Sequence, residues 1–193
     1  MLTGGSFLTE AELCRVGFAQ IGRNAKIHSR ASIYCPENIS LGHNVRIDDF
    51  AVIIATGKVK LGTHVHIPNF CYLGGTFGIT LEDFCTLAPG VMIFSSSDDY
   101  HGSKLTNPTI PQHFIGGKKG LVTLMRHVIV GAGSVILPGC TLGEGASVGA
   151  LSLVKGDLSS WSIYAGVPAQ KLKDRKRDLL ELERALRAEG NLS

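Results

Sequence analysis

Aliphatic side chains recur every six residues along most of this chain of 193 residues. The fifth residue of 13 of the 15 hexads is Ala, Gly, Ser, Cys or Val. Repetition at a fixed period indicates a repeat architecture. The hexads begin at Ile21, Ile27, Ile33, Leu41, Ile47, Ile53, Leu61, Ile67, Leu73, Leu81 and Leu87, and after a break at Val130, Ile136, Leu142 and Val148.

The hexads predict a chain that turns a corner every six residues. A bulky aliphatic side chain points inward on each short strand, and a small residue is needed where three walls crowd the axis. Three hexads close one triangular coil, and successive coils stack at the strand spacing of about 4.8 Å. The early coils begin 20 residues apart, so each holds two extra residues. We therefore predict an all-β fold, a parallel β-helix shaped as a triangular prism over residues 21–158.

Both ends of such a stack leave backbone groups that must be covered. Thr9 and Glu12 fit a capping box, which predicts a short helix through about Val16 at the N-terminal end. Three leucines recur at helical spacing within 174–188. We expect a helical cap at 1–20, the β-helix at 21–158, and a C-terminal segment with a helix at 159–193.

Composition excludes several classes of protein. No run of about 18 apolar residues occurs, so we expect no membrane span, and the first six residues lack the features of a secretory signal. The five cysteines form no CxxC pair, which is typical of a reducing compartment and predicts no disulfide framework or structural zinc site. Cys71, Cys85 and Cys140 fall on the small inward position, where we expect buried thiols. A cytoplasmic protein is expected.

The formal net charge of +3 comes from a basic run at 171–177. We interpret this run as the solvated face of a helix or as a contact for a phosphorylated small molecule. No aromatic residues interleave with it, so we expect no nucleic-acid partner.

The hexad rhythm stops at residues 94–121, which form a polar loop that must project from the filled prism. Long aperiodic loops in compact domains are often functional. His101 lies near the start of this loop and is suited to moving a proton at neutral pH. Asp98 or Asp99 could hold its second ring nitrogen. His113 is interpreted as a surface or inter-subunit packing residue.

A metal centre is not expected. Zinc would need three converging histidines, and only His64 and His66 share a strand face, whereas His28, His43 and His127 stand alone in separate hexads.

The hexads, the loop with His101 and the segment 164–169 together resemble the left-handed β-helix, or hexapeptide-repeat, acyltransferases. Within them the chain is similar to the sugar acetyltransferases, including the maltose and galactoside enzymes. The segments 44–50, 97–99 and 161–168 resemble the N-acetyltransferases of nucleotide-linked 4-amino-4,6-dideoxyglucose. The resemblance implies a left-handed coil, a homotrimer with active sites at subunit interfaces, acetyl-CoA as donor, and an amino-sugar nucleotide or a saccharide as acceptor.

The resemblance also implies roles for single residues. His101 matches the family's general base. Ala132 and Ala150 match positions whose backbone N–H groups contact the pantetheine arm, and their separation of 18 residues, three hexads, independently stacks them in neighbouring coils. The remaining candidates are Lys155 and Lys171 for the phosphates of CoA, and Asn69 and Asp49 for the acceptor.

Three functions stay open at this point. The first is an N-acetyltransferase acting on a nucleotide-linked amino sugar in surface polysaccharide biosynthesis, which the resemblance favours. The second is a sugar or glycan O-acetyltransferase, which His101 favours because a hydroxyl must lose its proton to attack. The third is a non-catalytic trimeric scaffold.

Overall fold

The hexads form the short strands that the sequence predicts, and the strands stack in parallel. The computed structural model describes residues 4–189. Within them the chain is a left-handed parallel β-helix with three walls and two flanking helices.

Each wall is one parallel sheet, with a final antiparallel strand on the second. Wall 1 contains β1 (Gln20–Ile21), β4 (Ile39–Leu41), β7 (Val59–Leu61), β10 (Ile79–Leu81), β13 (Val122–Leu124) and β16 (Thr141–Leu142). Wall 2 contains β2 (Lys26–Ile27), β5 (Arg46–Ile47), β8 (His66–Ile67), β11 (Thr86–Leu87), β14 (Ile129–Val130), β17 (Ser147–Val148), β19 (Ser162–Ala165) and β20 (Gln170–Asp174). Wall 3 contains β3 (Ser32–Tyr34), β6 (Val52–Ile54), β9 (Tyr72–Gly74), β12 (Met92–Phe94), β15 (Val135–Ile136) and β18 (Leu153–Val154).

The three walls meet at three corners of the prism, and the candidate functional residues lie at these corners. We call the corner between walls 1 and 2 the first corner, that between walls 2 and 3 the second, and that between walls 3 and 1 the third. Short 3-10 turns at Pro36–Asn38 and Gln112–Phe114 lie outside the walls.

The core is a column of aliphatic side chains from the hexad starts. Ile47 pairs with Ile67 in register and both are fully buried. Cys71, Cys85 and Cys140 are buried among them, as the sequence predicts. Burial raises the pKa of the Cys71 thiol to about 11 and that of Cys85 to about 12, so these thiols are inert at neutral pH.

The N-terminal helix α1 (Glu10–Val16) confirms the predicted capping box. The Thr9 hydroxyl accepts a hydrogen bond from the Glu12 N–H at 3.3 Å, and the Glu12 carboxylate accepts one from the Thr9 N–H at 2.8 Å. Neither α1 nor α2 (Leu179–Ala188), the helices of the part that the structure describes, is long and apolar enough to cross a membrane.

The basic run at 171–177 differs from the prediction of a helical face. Its first residues belong to β20, which pairs antiparallel with β19. The open end of wall 2 supplies unpaired backbone groups, and pairing with them is worth more to this segment than forming a helix. Helix α2 therefore begins only at Leu179.

Glu183 anchors α2 to the first corner. Its buried carboxylate accepts hydrogen bonds from Arg126 at 2.5 Å, from His127 Nε2 at 2.7 Å and from Arg187 at 2.8 Å. Burial acts to raise the pKa of Glu183, but the hydrogen bonds from Arg187 and His127 outweigh it and hold the pKa below the ordinary value of 4.5.

We expect Glu183→Gln to lower the free energy of unfolding by about 2 kcal/mol at pH 7, because two arginines and a histidine lose their charged partner. A carboxyl with a lowered folded-state pKa contributes stability above its ordinary pKa and loses it as the pH falls through the folded value. The stability of the variant should therefore fall less steeply than wild type between about pH 5 and pH 3. Urea unfolding across that range measures both effects, and parallel acid profiles would contradict this account.

Candidate active site

The loop at 94–121 is an arm that projects from the third corner. Its base is a short antiparallel stalk in which Ser96 pairs with Lys119, the Ser97 N–H donates to the Lys118 carbonyl, and the Gly120 N–H donates to the Ser95 carbonyl. The tip is largely exposed, and Tyr100 is 91% exposed. The arm therefore projects outward, as the sequence predicts.

Asp99 organises the tip through backbone contacts. Its carboxylate accepts hydrogen bonds from the His101 N–H at 2.8 Å, the Ser103 hydroxyl at 2.6 Å and the Lys104 N–H at 2.7 Å. The Ser103 hydroxyl and the His101 N–H together lower the pKa of Asp99 to about 2. Asp99 thus fixes the peptide of His101, whereas the sequence led us to expect it at the imidazole.

Asp98 and the His101 imidazole are free to meet a ligand. Neither makes a hydrogen bond to any residue between 4 and 189. Asp98 lines a cavity of about 280 Å³ at the root of the arm, together with Phe77 and Lys119. A carboxylate and an imidazole with unused hydrogen-bonding groups can bind an amine and exchange protons with it.

Four further candidates lie in one column at the second corner. Strand pairing brings Asp49, Asn69, Ala132 and Ala150 to the same place in successive coils, with Pro89 between the lower and the upper pair. The lower pair carries polar side chains and the upper pair carries only methyl groups. Asp49 is bound to Arg30 through a contact of 2.6 Å.

The N–H groups of Ala132 and Ala150 have no acceptor in the described part of the chain. At the equivalent places of the first corner, side chains from the next coil accept hydrogen bonds from the backbone N–H groups. His43 Nδ1 accepts from the Arg23 N–H at 2.9 Å, and the Asp83 carboxylate accepts from the Thr63 N–H at 2.7 Å. Backbone donors are seldom left unpaired. The second corner therefore offers a line of free donors to a ligand.

The wall beside these donors is smooth because side chains do not fit there. A Cβ on Gly131 would lie 2.4 Å from the Ala150 nitrogen, closer than real contacts allow. A thin chain such as pantetheine can lie along this backbone, so the residues present fit the CoA assignment.

The two lysine candidates lie apart from one another. In wall 2, Lys171 of β20 pairs with Tyr164 of β19, which in turn pairs with Val148 of β17. Because Val148 comes two residues before Ala150, Lys171 lies at the C-terminal end of the second corner. The Lys171 ammonium contacts Asp174 at 2.7 Å, which raises its pKa and keeps it charged. Lys155 follows β18 at the third corner and is exposed.

One chain does not bring all the candidates together. The arm with Asp98 and His101 leaves wall 3 at the third corner, whereas Asn69 and Ala132 lie at its opposite edge.

Sequence reasoning missed two groups near the second corner. His66 Nε2 lies 2.8 Å from the Asp48 carboxylate, which also contacts Arg46 at 2.7 Å. Burial acts to raise the pKa of Asp48, but hydrogen bonds from His66 and Arg46 hold it below its ordinary value. The second group is the stacked pair Phe50 and Phe70. Their 20-residue spacing, equal to the coil length, was the available signal.

Residues 4–189 hold no group of three or more His, Cys, Asp or Glu side chains that could bind a metal ion.

Comparison with known proteins gives matches over nearly the whole chain. The dTDP-4-amino-4,6-dideoxy-D-glucose acyltransferase of Escherichia coli is 38% identical over 179 residues, covering 92% of this chain and 93% of the relative. The structure of AntD, an N-acyltransferase from Bacillus cereus in complex with dTDP and 3-hydroxybutyryl-CoA, superposes with a TM-score of 0.93 at 43% identity, covering 97% and 99% of the two chains. A variant of AntD in complex with dTDP-4-amino-4,6-dideoxyglucose and coenzyme A also has a TM-score of 0.93 at 43% identity, covering 96% and 98%. No protein-family model matches the chain.

Proposed function

The chain belongs to the left-handed β-helix acyltransferases of the dTDP-4-amino-4,6-dideoxyglucose type, and we propose that it transfers an acetyl group from acetyl-CoA to the amine of a nucleotide-linked 4-amino-4,6-dideoxy sugar. The observation that carries the proposal is the relationship to the E. coli enzyme over 92% of this chain. An acyl group larger than acetyl is compatible with the same site, since AntD was solved with 3-hydroxybutyryl-CoA.

The donor lies along the second corner in this proposal. Its pantetheine amides meet the free N–H groups of Ala132 and Ala150, and its phosphates lie near Lys171. The thioester then reaches the level of Pro89, one coil above Asn69. The acceptor occupies the lower coils, where Asp49 and Asn69 supply polar groups.

The reaction needs one proton transfer. The acceptor nitrogen attacks the thioester carbonyl, the new C–N bond forms, and the C–S bond breaks to release CoA thiolate. In the proposal the imidazole of His101 takes the proton from the attacking nitrogen and returns it to the leaving thiolate. Asp98 contacts the amine or the imidazole, since the Asp99 carboxylate is already used by backbone N–H groups and Ser103.

A homotrimer completes the site in this proposal. The outward residues of wall 3 are mostly apolar, whereas those of wall 1 are mostly polar. A contiguous apolar surface of half-buried and exposed side chains favours a protein interface, and the exposed Leu105 and Phe114 on the arm favour contact with a second copy. The outward set on wall 3 is Ser32, Tyr34, Val52, Ile54, Tyr72, Gly74, Met92, Phe94, Val135 and Leu153, and that on wall 1 is Gln20, Ser40, Lys60, Thr80, Thr123 and Thr141.

The cellular setting is part of the same proposal. Acetylated nucleotide sugars are building blocks for surface polysaccharides such as lipopolysaccharide, and we place the enzyme in the cytoplasm because its cysteines are free.

O-acylation of a saccharide is the second candidate function, and the free imidazole of His101 favours it. A hydroxyl must lose its proton as it attacks, whereas a neutral amine is already nucleophilic. Mass spectrometry of products formed from dTDP-4-amino-4,6-dideoxyglucose and from unmodified sugars separates the two. Acetylation of plain sugars alone would contradict the proposed acceptor, and no thermal shift with acetyl-CoA would favour a non-catalytic scaffold.

We expect His101→Ala to lower kcat about 100-fold or more on a hydroxyl acceptor and less than about 10-fold on an amine. His113→Ala is the matched control, because His113 lies on the same arm and its ring packs against the neighbouring Phe114. Steady-state kinetics with both acceptors measures the difference, and unchanged activity of His101→Ala on the true acceptor would remove His101 from catalysis.

A further inference from the structure

Within the part of the chain that the structure describes, the second corner has no free backbone donor at the level of the thioester. In the proposed function the thioester lies beside Pro89, and proline has no N–H group. The neighbouring N–H groups are all used: Ala88 donates to the Val130 carbonyl at 2.8 Å, Gly90 to that of Asn69 at 3.2 Å, and Val91 to that of Ala88 at 3.4 Å. A carbonyl oxygen that gains negative charge beside Pro89 must therefore find its donor in another coil.

Two neighbouring coils offer a donor in this column. The N–H of Ala132 lies one coil above Pro89, but in the proposed function it binds the pantetheine arm. Asn69 lies one coil below Pro89, since His66 pairs with Thr86 and each of these comes three residues before its column residue. The donor that remains for the oxygen is on Asn69.

The Asn69 side chain is available for this role. It is half-buried, and its carboxamide makes no hydrogen bond to any residue between 4 and 189. Asp49, one coil lower, is already paired with Arg30 at 2.6 Å, and the three residues above Asn69 in the column carry no polar side chain. The coil spacing of about 4.8 Å is within the combined reach of an asparagine side chain and a hydrogen bond of about 2.9 Å.

We propose that Asn69 is a catalytic residue whose Nδ2–H group donates a hydrogen bond to the thioester oxygen as negative charge develops on it. The inference rests on the proposed function, which places the thioester beside Pro89. As the acceptor nitrogen forms the C–N bond, the π electrons of the carbonyl move onto its oxygen. When the C–S bond breaks, these electrons re-form the carbonyl, and the sulfur leaves with the bonding pair and takes the proton that His101 removed from the nitrogen.

A carboxamide suits this place because it offers both a donor and an acceptor. With Nδ2 facing the thioester oxygen, Oδ1 is left to accept a hydrogen bond from the N–H of the attacking amine. A donor fixed before the reaction stabilises an oxyanion without the reorganisation that water would need. Asn69 then contacts both reactants, and its contact with the acceptor is the one that the sequence led us to expect.

Asn69→Ala removes the donor. We expect kcat to fall about 100- to 1000-fold, the range found for loss of one oxyanion donor. The KM for the acceptor should change less than about five-fold, and acetyl-CoA should bind as it does to wild type, because the lost hydrogen bond strengthens only in the transition state. The pH profile of kcat should keep its shape, since His101 still moves the proton.

Asn69→Asp separates the donor from the acceptor of hydrogen bonds. A carboxylate of nearly the same size keeps an oxygen for the amine but has no hydrogen to donate, and its charge opposes the charge on the thioester oxygen. We expect a kcat at least as low as that of Asn69→Ala. If Asn69 only bound the amine, Asn69→Asp would keep kcat and would have a KM for the acceptor equal to or below that of wild type.

Thr63→Ala is the matched control. Thr63 occupies the same place as Asn69 in the same coil, but at the first corner and outside the site. Its kcat should stay within about two-fold of wild type.

Steady-state kinetics with acetyl-CoA and dTDP-4-amino-4,6-dideoxyglucose, together with isothermal titration of acetyl-CoA, distinguish the outcomes. If wild type does not acylate this acceptor, the proposed function falls and the inference with it. If wild type is active and Asn69→Ala keeps kcat within about five-fold, a backbone N–H serves the oxygen instead and the inference alone is wrong. If Asn69→Ala raises the KM for the acceptor at unchanged kcat, or loses acetyl-CoA binding, Asn69 only binds a reactant and the inference is overturned.

Discussion

Replacing residues 98–117 with an Asn-Gly turn is expected to lower kcat/KM by about 1000-fold or more while acetyl-CoA still binds. The deletion removes Asp98 and His101, the groups that meet the reacting nitrogen in this account. The stalk should survive it, because the Ser97–Lys118 hydrogen bond of 2.9 Å leaves two antiparallel strands that a two-residue turn can close.

The thermal midpoint of this variant should fall only slightly, because the tip buries no core residue and loses only the contact of Leu105 and Phe114 with a second copy. A single substitution at the tip that spares both groups, His113→Ala, is the control. Steady-state kinetics and a thermal-shift titration with acetyl-CoA give the two readouts. A shortened arm that keeps a tenth of wild-type activity would show that the tip does not take part in the reaction.

A charge on the outward face of wall 3 should be almost as damaging. Val135 points outward between Met92 below and Leu153 above. We expect Val135→Asp to convert a trimer into monomers, because three carboxylates would be buried against apolar partners. Acyl transfer should fall about 100-fold or more with it, since in the proposed trimer each site takes its arm from one chain and its second corner from another.

Light scattering and kinetics on the same sample test this expectation. Thr123→Asp is the matched control, because Thr123 points outward on wall 1 in the same coil as Val135 and has polar neighbours. A Val135→Asp protein that remains trimeric, or an active monomer, would contradict the assignment of wall 3 as the interface.

The prism was predictable because its cause is local. A narrow axis shared by three walls leaves room for one aliphatic and one small side chain in each hexad, so Ile47, Ile67 and the inward cysteines follow from counting. The segment at 171–177 was not predictable in this way. Whether this segment forms a helix or joins a sheet depends on the unpaired edge of β19 in the folded chain. The sequence of the segment itself carries no signal of that edge.

The candidate site, like the fold, was predictable from the sequence only in part. The stacking of Ala132 on Ala150 followed from their spacing, and the 20-residue spacing of Phe50 and Phe70 could have revealed their stacked rings. The hydrogen bonds of Asp99 could not be foreseen, because an aperiodic loop takes its conformation from contacts that composition does not encode. The free N–H groups at Ala132 and Ala150 required the coordinates, since the equivalent groups at the first corner are covered by side chains.

The central claim is that each site joins the arm of one copy to the second corner of another, and subunit complementation tests it most directly. One inactive chain lacks residues 98–117, and the other carries Ala132→Trp, which blocks the exposed corner. After the two are unfolded together and refolded in equal amounts, random assembly into trimers should restore about a quarter of the wild-type sites. Each chain refolded alone should stay inactive, and a mixture that also stays inactive while forming mixed trimers would contradict the claim.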